Sequence, residues 1–360
     1  MGPATGTGRG KGTTMQAVQL VQWKHAPEVR EVPDPDPAPG EVVIKVAGAG
    51  ACHSDLHLLH DFEPGVMPYE LPFTLGHENT GWVHALGEGA HGFEVGEPVA
   101  VYGPWGCGRC IRCRRGMENY CERQAEIGAA GGGLGRDGGM AEYLLVPDAR
   151  LLVPLGDLDP VEAAPLTDAG LTPYHAIVRS LHLLVPGSTV LVIGAGGLGH
   201  LAIQILRAVS PATVVVVDQR QEALDLAVEV GAHHGVLAGD TAAQEVRELS
   251  KGLGVDVVID LVGADPTIQL GAATVRPLGH LTVVGIAGGT LPFSFFTVPY
   301  EASVATTYWG SLPELMEVLA LAHDGHIRAH VTRFSLAEAP SVYEHLRAGQ
   351  VSGRAVIVPA

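Results

Sequence analysis

The glycine-rich turn Gly194-Ala-Gly-Gly-Leu-Gly199 sits directly behind the apolar run Thr189-Val-Leu-Val-Ile, and no other feature of the 360-residue chain constrains its fold as tightly. A Gly-x-Gly-x-x-Gly between a strand and a helix is the arrangement that cradles a dinucleotide pyrophosphate. Gly194 permits the tight turn. Gly196 lets backbone approach the pyrophosphate at the helix N-terminus, Gly199 allows close helix–sheet packing, and Gly197 and Leu198 complete the cofactor loop. The alternation then continues. Leu198 to Val209 reads as a helix, Thr213-Val-Val-Val-Val-Asp as a strand, Gln221 to Val230 as a helix and Val255-Asp-Val-Val-Ile-Asp as a strand. Nearly all-apolar strands alternating with helices predict a doubly wound parallel α/β sheet of the Rossmann type between about 170 and 310.

Asp218 lies nineteen residues beyond Gly199, at the end of the next strand. A carboxylate there accepts from the adenosine ribose hydroxyls and repels a 2′-phosphate, which favours NAD over NADP. Arg220, two residues on, can stack on adenine or, in another geometry, accept that phosphate. The competing reading is a glycine-rich turn in an ordinary α/β domain.

From Met15 to about Asp148 the pattern is different. Glu41-Val-Val-Ile-Lys-Val-Ala, Thr80-Gly-Trp-Val-His-Ala-Leu and Pro98-Val-Ala-Val-Tyr are short apolar stretches between Gly, Pro and Asp, which predicts small strands joined by turns. The end of the chain adds a helix from Pro313 to Ala322 and a strand at Gly353-Arg-Ala-Val-Ile-Val-Pro, assigned back to the first unit. A chain of this length with 46% hydrophobic residues can bury two cores. Residues 1–14 are Gly/Thr-rich with no bulky aliphatic and are expected to form a loose tail. With 22 basic against 39 acidic residues, a net charge of -17 repels nucleic acid and anionic membranes. No apolar run approaches the ~20 residues of a membrane span, and the opening residues do not resemble a signal peptide, so a cytoplasmic location is expected.

The five cysteines divide unevenly. Cys107, Cys110, Cys113 and Cys121 fall within fifteen residues, where metal binding outranks disulfides. Four thiolates close a tetrahedral zinc site with no open position, which suits a structural ion. The nearby Arg109, Arg112, Arg114 and Arg115 could suggest a nucleic-acid zinc ribbon, but the overall acidity opposes it. Cys52 stands apart in Cys52-His-Ser-Asp-Leu-His57, and Gly76-His77-Glu78 follows. A catalytic zinc needs three protein ligands and an open position, so Cys52 and His77 require a third, for which Asp168 in Pro165-Leu-Thr-Asp-Ala-Gly is the candidate. Taken singly, Cys52 also reads as a small buried hydrophobe and Asp168 as a turn residue.

Together, the four-cysteine lobe, Gly76-His-Glu, the Gly194 turn and Asp218 resemble the zinc-containing medium-chain alcohol dehydrogenases from Met15 to the C-terminus. Gly103-Pro-Trp-Gly-Cys-Gly-Arg-Cys, Pro165-Leu-Thr-Asp-Ala-Gly-Leu-Thr-Pro-Tyr-His and Tyr308-Trp-Gly-Ser are most similar to bacterial NAD-dependent members acting on secondary alcohols and ketones. The resemblance implies a GroES-like β-rich catalytic domain over 15–168 and 311–360 and an NAD-binding Rossmann domain over 169–310. It implies two zinc ions per subunit: a structural one on the four cysteines and a catalytic one on Cys52, His77 and Asp168, with Asp in place of the commoner Cys. Glu78 resembles the acid behind that zinc, Asp55 the carboxylate orienting His77, Ser54 the hydroxyl receiving the substrate proton and His57 the outer end of the proton relay.

For the cofactor, the resemblance places His53 and Arg354 on the pyrophosphate from opposite sides and Thr172 near the nicotinamide. Val262, Val284 and Ile286 join the cofactor contacts. Tyr69, Phe296, Tyr308 and Trp309 are expected to line an apolar substrate pocket, although each also fits a core position. The remaining histidines are expected to have no role. Relatives assemble as dimers or tetramers through the nucleotide domain, and Leu291-Pro-Phe-Ser-Phe-Phe-Thr-Val fits an edge strand covered by a partner or an internal strand. The rival functions are a polyol or amino-alcohol dehydrogenase with the same chemistry, a zinc-free quinone reductase and a non-catalytic zinc- and nucleotide-binding protein.

Overall fold

A computed structural model describes residues 12–359. Two sheets organise it. The first has seven strands, in the order Leu152–Pro154, Pro98–Val101, Glu78–Leu86, Val42–Gly50, Arg354–Val358 and Val331–Ser335, with Tyr143–Val146 also paired to Val42–Gly50. Val42–Gly50 is its spine: every residue but Lys45 is buried, and the strand pairs antiparallel with Glu78–Leu86, Tyr143–Val146 and the C-terminal Arg354–Val358. This C-terminal strand carries Arg354 into the middle of the first sheet.

The second sheet has six strands and is wholly parallel: His234–Leu237, Thr213–Asp218, Thr189–Ile193, Val255–Asp260, Val275–Val283 and Ser303–Thr306. Counted from Thr189–Ile193, this is the 3-2-1-4-5-6 order of a dinucleotide-binding sheet, with its switch point beside the glycine turn. Thr189–Ile193 and Val255–Asp260 are buried throughout, as central strands covered on both faces must be. The helix Gly199–Val209 starts one residue later than expected because Leu198 serves as its N-cap.

Three expectations are corrected. The structure describes only residues 12–14 of the proposed tail, but Thr14 already belongs to the strand Thr14–Leu20, and the Thr13 hydroxyl donates to Asp34 at 2.5 Å. Pairing with Glu28–Pro33 supplies the ordering that composition alone could not. Leu291 to Val298 forms no strand: the Ser294 N–H donates to the Thr297 hydroxyl at 2.7 Å, and these local side-chain bonds satisfy a turn instead. Its Phe296 is 89% exposed. Among the described residues, no helix is long and apolar enough to cross a membrane.

Candidate active site and metal centre

Three separate segments bring four potential ligands together. Cys52 caps the helical turn His53–Leu56, and its N–H donates to the Asp55 carboxylate at 3.1 Å. His77 and Glu78 lie where the strand Glu78–Leu86 begins, and Asp168 ends the tight turn Ala164–Thr167. The ligand atoms of Cys52, His77, Glu78 and Asp168 all lie within 4.8 Å of one another. Asp168 Oδ2 is 3.7 Å from the Cys52 sulfur and 3.6 Å from His77 Nε2.

The surrounding groups fix this geometry. Asp55, fully buried, faces His77 Nδ1 at 3.2 Å and accepts from the Tyr343 hydroxyl at 2.9 Å. Nε2 is thereby left to the cluster, the usual consequence of a carboxylate behind a ligand histidine. The Thr172 hydroxyl donates to Asp168 Oδ1 at 2.6 Å, which leaves Oδ2 to face the cluster. Ser54 Oγ lies 3.2 Å from His77 Nε2, while His57, one turn on, holds Asp61 through Nδ1 at 2.6 Å.

The donor set fits a zinc ion. The thiol of Cys52 and the carboxyls of Glu78 and Asp168 outnumber the one guanidinium of Arg354, an arrangement that suits a divalent cation in a buried site. The mixture of thiolate, imidazole and carboxylate is a zinc set. Burial raises Glu78 to about 7 despite Arg354. Burial also opposes ionisation of Asp168, but the hydrogen bond and charge of His77, followed by Arg354, hold its pKa below the usual carboxylate range.

On one side Arg354 meets an acid of the fold. It is buried, with Nε donating to Glu78 Oε2 at 2.9 Å and Nη2 bonded to Oε1. A carboxylate so deep in the fold needs this partner, and the pairing takes two of the three guanidinium nitrogens. The third, Nη1, reaches the glycine turn, where a Cβ on Gly197 would lie 2.6 Å from it. Only glycine admits that approach.

At the nucleotide turn, Gly194 adopts φ +93°, a conformation other residues rarely take. Asp218 accepts from the Ala195 N–H at 2.7 Å and the Arg220 N–H at 2.9 Å, so it braces the turn it is expected to serve. Arg220 Nη1 donates to the Gly349 carbonyl at 2.6 Å. Val262, Val284 and Ile286 follow the carboxyl ends of their strands, the edge where such sheets bind ligands. His53 is exposed beside this region, yet partial desolvation and then the Arg354 charge lower its pKa to about 4.

Three of the four pocket aromatics adjoin the cluster. The Trp309 ring meets His77 edge-on at 5.6 Å, and Tyr308 meets Trp309 at 6.1 Å. Burial and then Tyr308 raise the Tyr69 pKa to about 12. Trp309 holds φ +52° while its indole N–H donates to the Thr167 carbonyl at 3.2 Å. Backbone strain at a buried aromatic beside a ligand marks a position set by its surroundings. Phe296 is the exception, on the outer turn already described.

The other cysteines form a second cluster, with all four sulfurs within 4.8 Å of one another. Backbone N–H groups of Cys107, Cys110, Cys113 and Arg123 each point at a sulfur at 3.4 Å, a pattern that stabilises thiolates. The Cys113 N–H lowers Cys110 to about 6, while burial pushes Cys113 up. The lobe also grips the segment carrying the aromatic wall. The Leu312 N–H donates to Gly116 at 2.7 Å, Asn119 Nδ2 to the Tyr308 carbonyl at 2.9 Å, and Tyr120 meets His175 Nε2 at 3.1 Å.

Two family models match the chain: an alcohol dehydrogenase GroES-like domain over residues 38–157 and a zinc-binding dehydrogenase domain over 197–324. An NAD-dependent alcohol dehydrogenase of Sulfurisphaera tokodaii is 36% identical over 355 residues, covering 96% of this chain and all of the relative. The chain belongs to the zinc-containing medium-chain alcohol dehydrogenase family. A D-arabinose 1-dehydrogenase (NADP(+)) of Saccharolobus solfataricus is 34% identical, covering 96% of this chain and 97% of the relative. The crystal structure of an alcohol dehydrogenase from Aeropyrum pernix matches with a TM-score of 0.89 at 36% identity, covering 96% of this chain and all of that one. The family makes the chain an oxidoreductase.

Within this dehydrogenase fold, Tyr343 escaped sequence reasoning, as did the contact between Thr172 and Asp168. Tyr343 on Asp55 and Thr172 on Asp168 act through side chains 288 and four positions away from their partners. Only the four-residue spacing of the second could have been read from a helix. The histidines expected to have no role include two in buried networks: His175, bonded to Glu314 at 2.8 Å, and His200. His200 lies in no quoted motif and His175 closes the Pro165-to-His175 stretch without a role assigned to it, so only the fold could reveal their partners.

Proposed function

We propose that this chain is a zinc-dependent, NAD-linked alcohol dehydrogenase acting reversibly on small apolar alcohols, chiefly secondary ones, and their ketones or aldehydes. The observation that carries the reading is the convergence of Cys52, His77 and Asp168 beside Ser54, at the sheet edge that holds the glycine turn. When bound, zinc supplies Lewis-acid activation of the alcohol oxygen and NAD accepts the hydride.

The chain's own groups do the rest. Cys52, His77 and Asp168 hold the metal, Asp55 fixes the His77 ring, and the Arg354–Glu78 pair neutralises the acid behind it. Ser54 receives the substrate hydroxyl proton at Oγ, and His57 passes it outward to solvent. Thr172 acts by orienting Asp168. Asp218 and the glycine turn hold the adenosine side of the cofactor, with His53, Arg220, Val262, Val284 and Ile286 around it, while Tyr69, Tyr308 and Trp309 exclude water from the reacting carbon. The four-cysteine lobe holds a second, structural zinc. The division into a catalytic unit of residues 15–168 with 311–360 and a nucleotide unit of 169–310 belongs to the same reading, supported by the two sheets.

The D-arabinose relative favours one alternative, a polyol or sugar substrate with NADP. The aromatic wall argues against it, because a polyol would strand its hydroxyls against apolar surface. With NAD, 2-propanol is expected to give a kcat/KM at least about tenfold above sorbitol or arabinose, and NADP to serve about tenfold less well than NAD. A steady-state panel reads both ratios; a sugar outperforming the secondary alcohol reverses the substrate assignment.

The subunits assemble as a homodimer or homotetramer through the parallel sheet. Its edge strand Ser303–Thr306 is largely exposed, and Phe293, Phe295 and Phe296 are 76%, 69% and 89% exposed beside it. An aromatic patch of this kind marks a surface that a partner covers. Light scattering is expected to give at least twice the 37.5 kDa chain mass; a monomer at micromolar concentration counts against this assembly.

A further inference from the structure

His200 occupies the first turn of the helix Gly199–Val209, immediately after the glycine turn, and is completely buried. Its two ring nitrogens face different parts of the molecule. Nδ1 lies 3.2 Å from the Gly196 carbonyl, inside the nucleotide turn. Nε2 accepts from the His330 N–H at 3.1 Å, and His330 leads into Val331–Ser335 of the other sheet. A backbone amide can only donate, so Nε2 carries no proton and Nδ1 must carry one. That single neutral tautomer satisfies both contacts, and burial, which lowers the His200 pKa to about 4, keeps the ring in it.

The chain of contacts continues. The His330 carbonyl accepts from the Arg354 N–H at 2.8 Å, and Arg354 carries the guanidinium that pairs with Glu78 and approaches Gly197. One imidazole therefore links the carbonyl of the nucleotide turn to the backbone that places Arg354 against the same turn. Gln204, one helical turn further on, also bonds to the junction: its amide donates to the Arg328 carbonyl and accepts from the Arg328 N–H, both at 2.9 Å. It also donates to the His200 carbonyl at 2.9 Å but does not touch the turn's own residues.

We infer that His200 is a positioning residue for the dinucleotide: it locks the Gly196 peptide and the Arg354 strand in mutual register, so that the turn's N–H groups and the free Arg354 nitrogen meet the pyrophosphate together. This rests on the NAD reading of the glycine turn. The side chain contacts no reacting atom. Its contribution lies in preorganisation, since a turn that must be ordered on binding loses affinity.

The test compares His200→Leu, His200→Asn and Gln204→Leu with the unaltered full-length protein. NADH binding is followed by fluorescence, and amide hydrogen exchange over residues 195–199 is followed in the cofactor-free protein. Leucine removes both ring contacts, and its expected NADH Kd is about tenfold higher, with exchange of the turn faster by a similar factor. Asparagine keeps a donor at the Nδ1 position, and its Kd is expected within about threefold of the parent. Gln204→Leu loosens the junction alone and is expected to leave both readouts near the parent while lowering Tm. Equal weakening by His200→Leu and Gln204→Leu, or an unchanged Kd in His200→Leu, overturns the inference. Should His200→Leu not fold, a Kd raised about tenfold in His200→Asn, which keeps the donor, or in Gln204→Leu, whose side chain does not touch the turn, overturns it equally. Failure of the unaltered protein to bind NADH would instead refute the cofactor reading.

Discussion

Asp168→Ala is expected to lower kcat/KM for 2-propanol by about a thousandfold or more while leaving the NADH Kd within about threefold of the parent. The asymmetry follows from where the residue stands. Its carboxylate faces Cys52 and His77 at under 4 Å and contacts no residue of the glycine turn except through Arg354. Removal of one ligand leaves Cys52 and His77 with Glu78 as the sole remaining carboxylate, and Glu78 is already bonded through both oxygens to Arg354. Metal analysis is expected to show about one zinc lost per chain. Steady-state kinetics and fluorescence titration read the two effects separately, and undiminished turnover in Asp168→Ala removes this residue from the metal site.

The second large effect belongs to the other cluster. Cys110→Ser is expected to lower Tm by about 10 °C and to release about one zinc per chain, because a closed four-sulfur site contributes its binding energy to the fold. The loss should not stay local. The Gly116 carbonyl, Asn119 and Tyr120 fasten this lobe to Leu312, Tyr308 and His175, and Tyr308 and Trp309 wall the catalytic cluster. A raised KM for 2-propanol in the folded variant is therefore expected together with the lower Tm. Calorimetry and metal content decide the first part; an unchanged Tm with full zinc content would show that Cys110 is not a ligand.

Much of this architecture was legible in the chain because it depends on local pattern. The Thr189–Ile193 strand, its glycine turn and the following helix are specified within about twenty consecutive residues, and the four cysteines within fifteen. Cys52, His77 and Asp168 could be assembled only through resemblance, since no spacing rule joins Asp168 to a cysteine 116 positions away. What stayed hidden depends on long-range pairing. Arg354 reads by resemblance as a pyrophosphate contact, but its pairing with Glu78 comes from a strand inserted between two others of the first sheet. Phe296 reads as a pocket wall because it is bulky and its segment lines the pocket in relatives, yet the Ser294–Thr297 turn leaves it 89% exposed. No role could be read for His200 or His175, because their partners come from segments 130 and 139 residues away.

The account stands most directly on one combined measurement: zinc content of the purified protein together with NADH formation from 2-propanol. It predicts two zinc ions per chain and alcohol-dependent NADH production that is lost when chelation removes the more accessible ion. One zinc or none, with no NADH formed from any primary, secondary or polyol alcohol, would contradict it and leave a nucleotide-binding protein without the chemistry proposed for Cys52, His77 and Asp168.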